Sequence, residues 1–326
     1  MKTFIILVLT MLLTVSTYAG VGTAGGFMLD TCPGARPSAR GGAFVAASDV
    51  YSINYNPGAL ADIENMQVGA MYIKGVLDTG YEYGAFVTPL KGLGVFGISV
   101  FAFQGGSMDV IDSLGNSVVR SAQNDYLFSG AFGMKNILMK NLNLGVTVKY
   151  LMSSLVETYN AATLTFDIGG TYKMENLILG FAGYNIIGSL KYIDYEDKLP
   201  RSGRVGAEYL FALNPEHDLT VSVDSSYDNE RTFKVFTGLE YSYQKTFFGR
   251  LGYRVNDGDT SLSIGVGYRG TLLENSIQSI DYAFIPSANG LMDSHRISIG
   301  MTFGEESKNK GGGEKKRFIS PRRVVR

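Results

Sequence analysis

The sequence has 326 residues and is almost neutral, because 29 lysines and arginines face 30 aspartates and glutamates. Its one cysteine excludes an intrachain disulfide, and after the N-terminal residues no apolar run is long enough for a transmembrane helix. Glycine (41 residues), tyrosine (20) and phenylalanine (19) are abundant, a composition that suits strands with close packing and aromatic rims.

The N-terminal residues have the features of a secretory signal peptide. An apolar run at 4–15 follows a basic residue, and small residues lead to Ala19. The run is too short for a permanent membrane-spanning helix, so we expect residues 1–19 to direct export and to be removed. Cys32 lies beyond a glycine-rich stretch and has Asp30 where a lipoprotein site needs a small residue, which argues against a lipid anchor.

Residues 20–64 are rich in glycine, alanine and serine and show no alternation of apolar and polar residues. Within them, Asn56 precedes Pro57. An asparagine side chain can cap a turn and a proline fixes the backbone, so this pair would keep a nonregular segment rigid. We therefore predict a plug, or hatch, that lies in the lumen of the barrel described next, in preference to an ordinary loop turn. The candidate plug-motif residues are Gly41, Gly42, Asn54, Asn56 and Pro57.

Residues 65–303 repeatedly alternate apolar with small or polar residues, in stretches that end at turn-forming residues. In the final stretch Ile297 and Ile299 fall on one face, and Arg296 and Ser298 fall on the other. No amphipathic helix is available to cover these apolar faces, so lipid is the expected partner. The fold class we predict is all-β, a transmembrane antiparallel β-barrel.

The alternation predicts fourteen strands, at residues 65–74, 81–90, 93–103, 123–134, 142–152, 160–173, 177–184, 202–213, 217–227, 232–244, 246–255, 259–270, 275–285 and 294–303. An even number of strands with alternating short and long connections places both chain ends in the periplasm of a bacterial outer-membrane protein. The expected partners of such a chain include the lipid bilayer and the barrel assembly machinery.

Charged residues occupy the polar face of the predicted strands. The candidate lumen charges are Arg204, Glu208, Lys234, Glu240, Arg250, Arg269, Asp281 and Arg296. They could line a transport path, but we favour pairing with each other or with the plug, because a buried unpaired charge costs several kcal/mol. In that arrangement four inward arginines donate to the plug, and Asp49 and Asp62 accept from them; the four are Arg204, Arg254, Arg269 and Arg296.

The third predicted strand is apolar on both faces and contains Gly94 and Gly97, which we expect to weaken its pairing. Its candidate hydrophobic path consists of Phe96, Ile98, Phe101 and Phe103. An apolar lumen wall indicates apolar cargo, whereas packing of the same side chains against the plug explains them equally well. Both interpretations stay open at this point.

The remaining features favour neither an enzyme nor a cofactor site. His217 and His295 are the only histidines, and the sequence has neither metal-ligand spacing nor a phosphate-binding loop. Residues 304–326 are glycine-rich and then basic, which predicts a disordered tail that is solvated or touches anionic lipid, peptidoglycan or a protein. Export excludes nucleic acid as a partner.

Five stretches carry a resemblance to a known family. They lie at residues 34–46, 54–61, 280–286, 294–300 and, more weakly, 199–201. Together they resemble the PorV/PorQ-like relatives of the FadL fatty-acid transporters, whose plug signature usually ends Asn-Pro-Ala-Gly-Leu. Here Gly58 and Ala59 stand in the reverse order, so the turn after Pro57 is expected to differ slightly.

The resemblance implies a fourteen-stranded barrel with an N-terminal plug. FadL-like members imply hydrophobic cargo, and our first hypothesis is an outer-membrane protein that passes or binds small hydrophobic molecules similar to fatty acids. Relatives that resemble the PorV shuttle imply a second hypothesis, an accessory role in type IX protein secretion with periplasmic or secretion proteins as partners. A purely structural porin is the third hypothesis.

Overall fold

The structure is a computed structural model that describes residues 26–31, 33–75, 78–111, 115–229, 232–255, 262–286 and 293–304. The predicted signal peptide and all of the predicted tail except Gly304 lie outside these ranges. Cys32 and the beginning of the predicted plug, residues 20–25, also lie outside them.

Within the described ranges, fourteen antiparallel strands close into a barrel, and the first strand pairs with the last. These strands are β1 (Gln67–Lys74), β2 (Thr79–Leu90), β3 (Gly94–Gly105), β6 (Gln123–Met134), β7 (Leu142–Leu155), β8 (Tyr159–Met174), β9 (Leu177–Tyr184), β12 (Ser202–Asn214), β13 (His217–Asp228), β14 (Phe233–Tyr243), β15 (Phe247–Val255), β16 (Leu262–Gly270), β17 (Ser276–Ile285) and β18 (Ser294–Phe303). The predicted fold class is confirmed.

Alternation along each strand separates an apolar outer face from a lumen face, as the period of two requires. In β18, Ile297 and Ile299 are 50% and 57% exposed, whereas Ser298 between them is 2% exposed. Apolar outer side chains in lipid and polar side chains inside are the arrangement of an outer-membrane barrel. None of the helices in the described ranges has the length and apolar character needed to cross a membrane.

The two ends of the barrel differ in their connections. At the end of the barrel where β1 begins and β18 ends, the described connections between strands are short turns, and we call it the turn end. The turns lie at residues 91–93, 135–141, 175–176, 215–216, 244–246 and 271–275. The opposite, loop end carries two hairpins outside the barrel. They are β4 (Ser107–Ile111) with β5 (Ser117–Ser121), and β10 (Ser189–Lys191) with β11 (Glu196–Lys198). These short strands were not predicted, because they do not form a long alternating stretch.

Residues 33–63, here the inner segment, cross the interior of the barrel from the loop end to the turn end. The segment contains two short helices, α1 (Ala35–Ala39) and α2 (Ser52–Tyr55), and a 3-10 helix (Pro57–Asp62). A further 3-10 helix (Phe27–Leu29) precedes it. Phe44, Ile53 and Leu60 are at most 1% exposed, so the inner segment supplies much of the buried core.

Lumen-facing glycines allow the backbone of the inner segment to approach the wall closely. A Cβ atom at Gly238 would lie 2.7 Å from the carbonyl oxygen of Arg40, and one at Gly133 would lie 2.7 Å from that of Pro57. Outward-facing Gly84 and Gly130 have no such neighbour within 4 Å. Part of the high glycine content therefore reflects contact between the wall and the inner segment.

The pairing of β3 is continuous, contrary to the expectation that its glycines weaken it. Gly94 pairs with Leu90 of β2, and Gly97 pairs with Val87 of β2 and with Ala131 of β6. A Cβ atom at Gly97 would lie 3.0 Å from the Ile53 side chain, so this glycine accommodates α2 inside the barrel. The expectation was wrong because it considered the strand without its inner neighbour.

Candidate functional site

A chain of ion pairs joins α1 to the barrel wall. Arg36 donates through Nε and Nη2 to the two carboxylate oxygens of Glu240, each at 2.9 Å. The same carboxylate accepts from Arg250 Nε at 2.6 Å, and Arg250 donates onward to Asp281 at 2.7 Å. Bidentate arginine–carboxylate pairs fix geometry as well as charge, so this chain sets the position of α1 relative to β14, β15 and β17.

Arg40 makes a second link from the end of α1. It is fully buried, and it donates to Glu208 of β12 and, at 2.7 Å, to Ser222 Oγ of β13. The ring of Phe44 lies 5.3 Å from the Arg40 guanidinium and 5.4 Å from that of Arg36, which adds cation–π attraction. Loss of Glu208 would leave the buried charge of Arg40 without its carboxylate partner.

Carboxylates also hold the backbone of the inner segment. Asp224 of β13 accepts from the backbone N–H groups of Phe44 and Val45 at 2.8 and 3.0 Å. Asp49 of the inner segment accepts from Arg36 at 3.0 Å.

The predicted plug motif lies at two places in the inner segment. Asn56 donates through Nδ2 to the carbonyl oxygens of Val45 (2.6 Å) and Gly170 (3.0 Å), and its Oδ1 accepts from Gly58 N–H. Pro57 begins the 3-10 helix that Asn56 caps. Asn54 accepts from the Tyr83 hydroxyl at 2.9 Å. The motif therefore connects two parts of the inner segment with strands of the wall.

Gly41 and Gly42, the other two residues of the motif, have left-handed φ angles of 66° and 88°. Their carbonyl oxygens accept from barrel arginines, with Arg254 Nε at 2.9 Å from Gly41 O and Arg204 at 3.2 Å from Gly42 O. Arg296 donates to Ser38 Oγ at 2.8 Å. These contacts place cationic side chains of the wall against the first half of the inner segment.

All eight candidate lumen charges lie on the inner face, but some partners differ from those expected. Arg269 stacks on Phe248 of the wall, with its guanidinium 5.3 Å from the ring centre. Asp49 accepts from Arg36 of its own segment, and Asp62 pairs with Lys173 at 2.8 Å. The expected acceptors are therefore bound by cations other than the four barrel arginines named from the sequence.

Arg36 and Arg40 were absent from the candidates, although both form ion pairs with carboxylates of the wall. The signal was present in the sequence, because two arginines four residues apart flank Pro37 and precede a glycine pair. Arginines at this spacing share one side of a helix. A predicted plug that carries such a pair should be expected to meet lumen carboxylates.

The candidate hydrophobic path does not form one surface. Phe96 and Ile98 point outward and are 38% and 47% exposed, whereas Phe101 and Phe103 point inward and are at most 8% exposed. Alternation places neighbouring positions of a strand on opposite faces. The inward pair packs in the core, where Phe103 contacts Phe27 with ring centres 4.9 Å apart.

An open cavity of about 740 Å³ lies at the loop end, above the inner segment, and we call it the vestibule. Its lining includes four cations (Arg204, Lys234, Arg254 and Arg296) and two aspartates (Asp30 and Asp228). Hydroxyl groups of serines and threonines, together with Tyr55 and Tyr81, complete much of the wall.

The histidines are far apart along the chain and contact tyrosines. His217 Nδ1 lies 2.5 Å from the Tyr241 hydroxyl, and His295 Nδ1 lies 2.6 Å from the Tyr282 hydroxyl. Among the residues that the structure describes, no group of three or more histidine, cysteine, aspartate or glutamate side chains has the arrangement of a metal site.

Solved structures share this fold at low sequence identity. The Ralstonia pickettii toluene transporter TbuX is 12% identical, with a TM-score of 0.52 over 84% of this chain and 98% of that one. The Pseudomonas putida toluene transporter TodX is 12% identical, with a TM-score of 0.55 over 82% and 96%. A Pseudomonas aeruginosa FadL homologue is 12% identical, with a TM-score of 0.53 over 83% of this chain and 98% of that one. These comparisons show that the chain shares the barrel fold of those structures.

No curated protein matches the chain significantly in sequence. A family model does match, over residues 121–312, which is more than half of the chain, and it describes the type IX secretion system membrane protein PorP/SprF. The match does not support the PorV/PorQ name suggested by the sequence motifs, although it supports the same secretion system and a bacterial outer-membrane location. The chain therefore belongs to the PorP/SprF family of type IX secretion system membrane proteins.

Proposed function

We propose that this protein is a plugged outer-membrane component of type IX secretion, which acts by binding proteins at its two ends. The observation that carries the proposal is the attachment of the inner segment to the wall through Arg36, Glu240 and Arg250. A segment that crosses the lumen and is held by buried ion pairs obstructs an axial path. The family assignment supplies the secretion system in which the barrel acts.

In this proposal residues 1–19 are removed on export, and residues 20–64 form the plug. The turn end faces the periplasm, because outer-membrane barrels have short periplasmic turns and longer external loops. The loop end, with its two hairpins and the vestibule, then faces the cell exterior. Because β18 ends at Phe303 at the turn end, we propose that the basic residues in 304–326 contact periplasmic proteins.

A second candidate function is passage of small hydrophobic molecules. Inward Phe101 and Phe103 belong to an apolar cluster with Leu127 and Leu151, and such a cluster could accept an apolar molecule. The likeness to toluene transporters supports the same fold but no particular cargo. The first candidate is favoured because this cluster is already filled by Met28 and other residues of the chain.

A deletion strain distinguishes the two candidates. We expect loss of the gene to remove type IX cargo from the culture medium, measured by mass spectrometry of secreted proteins, while uptake of a radiolabelled fatty acid stays the same. A plasmid copy of the gene should restore secretion. Normal secretion together with reduced fatty-acid uptake would refute the proposed function and support the second candidate.

A further inference from the structure

A notch interrupts the barrel wall beside β8 at the loop end. β8 pairs with β7 over residues 159–172, but it pairs with β9 only over residues 168–174. β9 ends at Tyr184, which pairs with Ser202 at the beginning of β12. The upper part of β8, residues 159–167, therefore has a single strand neighbour in the part of the chain that the structure describes.

The notch begins where the wall has already crossed the membrane. Ile186 continues β9, because its N–H group donates to the carbonyl oxygen of Phe166 at 3.0 Å. Residues 177–186 are thus about as long as a strand that spans the bilayer, which needs about 9–11 residues. β8 has 16 residues and extends further. Proteins usually cover a free strand edge of this kind, because it pairs readily with other extended chains.

Residues 187–198, which we call the flap, lie against the free edge of β8 and contain the hairpin of β10 and β11. A Cβ atom at Gly188 would lie 2.7 Å from the carbonyl oxygen of Leu164 and 2.9 Å from Thr163 Oγ1. Leu190 is fully buried and belongs to the apolar cluster of the lumen. The flap therefore closes the notch and covers part of the apolar cluster behind it.

Few bonds join the flap to its surroundings. Among the described residues, two hydrogen bonds leave it: the Tyr192 hydroxyl donates to Ser153 Oγ at 2.7 Å, and Arg201 donates to the Gly188 carbonyl oxygen at 3.4 Å. The pairing of β10 with β11 stays within the flap. A unit with so few bonds to the rest of a protein can open at a lower free-energy cost than global unfolding.

The base of the flap is held by Asn185. Its backbone N–H donates to the Asp167 carboxylate at 2.9 Å, and its Nδ2 donates to the carbonyl oxygen of Pro200 at 2.8 Å. Asp167 in turn pairs with Lys149 at 2.6 Å, and both of these side chains are almost completely buried. The two ends of the flap are therefore joined to each other and to the wall.

The side chains of the flap fall into two groups. Leu190 is fully buried, and Tyr192 packs against the apolar cluster of the lumen. Ile193 and Tyr195, in contrast, are 61% and 89% exposed. Opening of the flap would remove the first pair from its contacts and would leave the surroundings of the second pair almost unchanged.

We propose that the flap opens as a local unit about Asn185 and Pro200, while the barrel and the inner segment stay folded. Opening uncovers the free edge of β8 at the loop end, together with the apolar side chains behind it. The closed position depends on the contacts of Leu190 and Tyr192. This inference goes beyond the proposed function and does not depend on it.

Thiol labelling of the full-length protein in detergent tests this proposal. The reporter is Thr163→Cys in a Cys32→Ser background, because Thr163 is 8% exposed and lies beside Gly188 of the flap. A charged methanethiosulfonate reagent should label it slowly when the flap is intact. Tyr192→Phe keeps the ring but removes a hydrogen bond, and it should speed labelling by about fivefold. Leu190→Ala, which leaves a cavity, should speed labelling by more than about tenfold.

The matched controls are the same changes at exposed positions of the flap. Tyr195→Phe and Ile193→Ala should label at the rate of the intact flap. A second reporter, Thr147→Cys, replaces a fully buried side chain that bonds to the carbonyl oxygen of Ile53 in the inner segment. It should label slowly with every flap variant, because the inner segment stays in place. Each variant is first checked for the heat-dependent gel mobility of a folded barrel.

Three results would overturn the proposal. One is an unchanged labelling rate at Thr163→Cys in both Tyr192→Phe and Leu190→Ala. Another is equal acceleration at Thr147→Cys and Thr163→Cys, because exposure would then come from a wider unfolding. The third is labelling of Thr163→Cys at the rate of a free thiol when the flap is intact, which would mean that the flap does not close.

Discussion

Glycine at lumen positions determines how closely the inner segment approaches the wall. Gly252 of β15 is the most demanding position, because an added Cβ atom would meet the backbone nitrogen of Gly41 and the carbonyl carbon of Arg40. Backbone atoms cannot move aside as a flexible side chain does. Gly41 also has a φ angle of 66°, which restricts the residues that could replace it.

Gly252→Ala should therefore lower the stability of the folded barrel, by about 1–3 kcal/mol as is usual for an overpacked interior. The measurement is the temperature at which the purified protein changes from folded to unfolded mobility on a gel. Gly249→Ala is the control, since this glycine lies in the same strand and has no atom within 4 Å of an added Cβ. Equal transition temperatures for the two variants would contradict the close approach seen at Gly252.

Alternation made the strands and their inward residues predictable from the sequence. Lipid outside and polar contacts inside make apolar and polar residues alternate with a period of two in most wall strands. Glu240 and Arg250 could therefore be placed in the lumen. The sequence can indicate that Arg36 meets a lumen carboxylate but not which one, because the lumen position that α1 reaches depends on the path of the inner segment. That path is set by many close backbone contacts, which leave little trace in a single sequence.

The docking of α1 depends on Glu240, which serves two arginines. Glu240→Ala would remove a carboxylate acceptor that the buried Arg36 and Arg250 share. Breaking a buried ion pair in this way lowers stability by about 3–5 kcal/mol. We expect faster amide hydrogen exchange in residues 35–45, measured by mass spectrometry. Glu196→Ala, at an exposed position of β11, is the control. Unchanged exchange in folded Glu240→Ala would show that the ion pairs do not hold α1.

The whole molecule combines a lipid-facing wall with an interior that is filled by its own chain. The inner segment contacts β6, β7 and β8 near the turn end through its 3-10 helix and contacts β15 to β18 through α1. These contacts lie on different sides of the barrel. We therefore expect the segment to obstruct the path through the lumen, whatever molecules bind at the ends.

Removal of residues 22–60 should consequently open the barrel to ions. The wall strands begin at Gln67 and retain their pairing partners in such a variant, so a folded barrel remains possible. Single-channel recording in planar bilayers should show little conductance for the intact protein and large, steady conductance for the variant. The variant is accepted only if its gel mobility depends on heating, which excludes channels formed by misfolded protein. Equal conductance of the two proteins would mean that the inner segment does not occlude the lumen, and that Asn56 and Pro57 stabilise the wall rather than a plug.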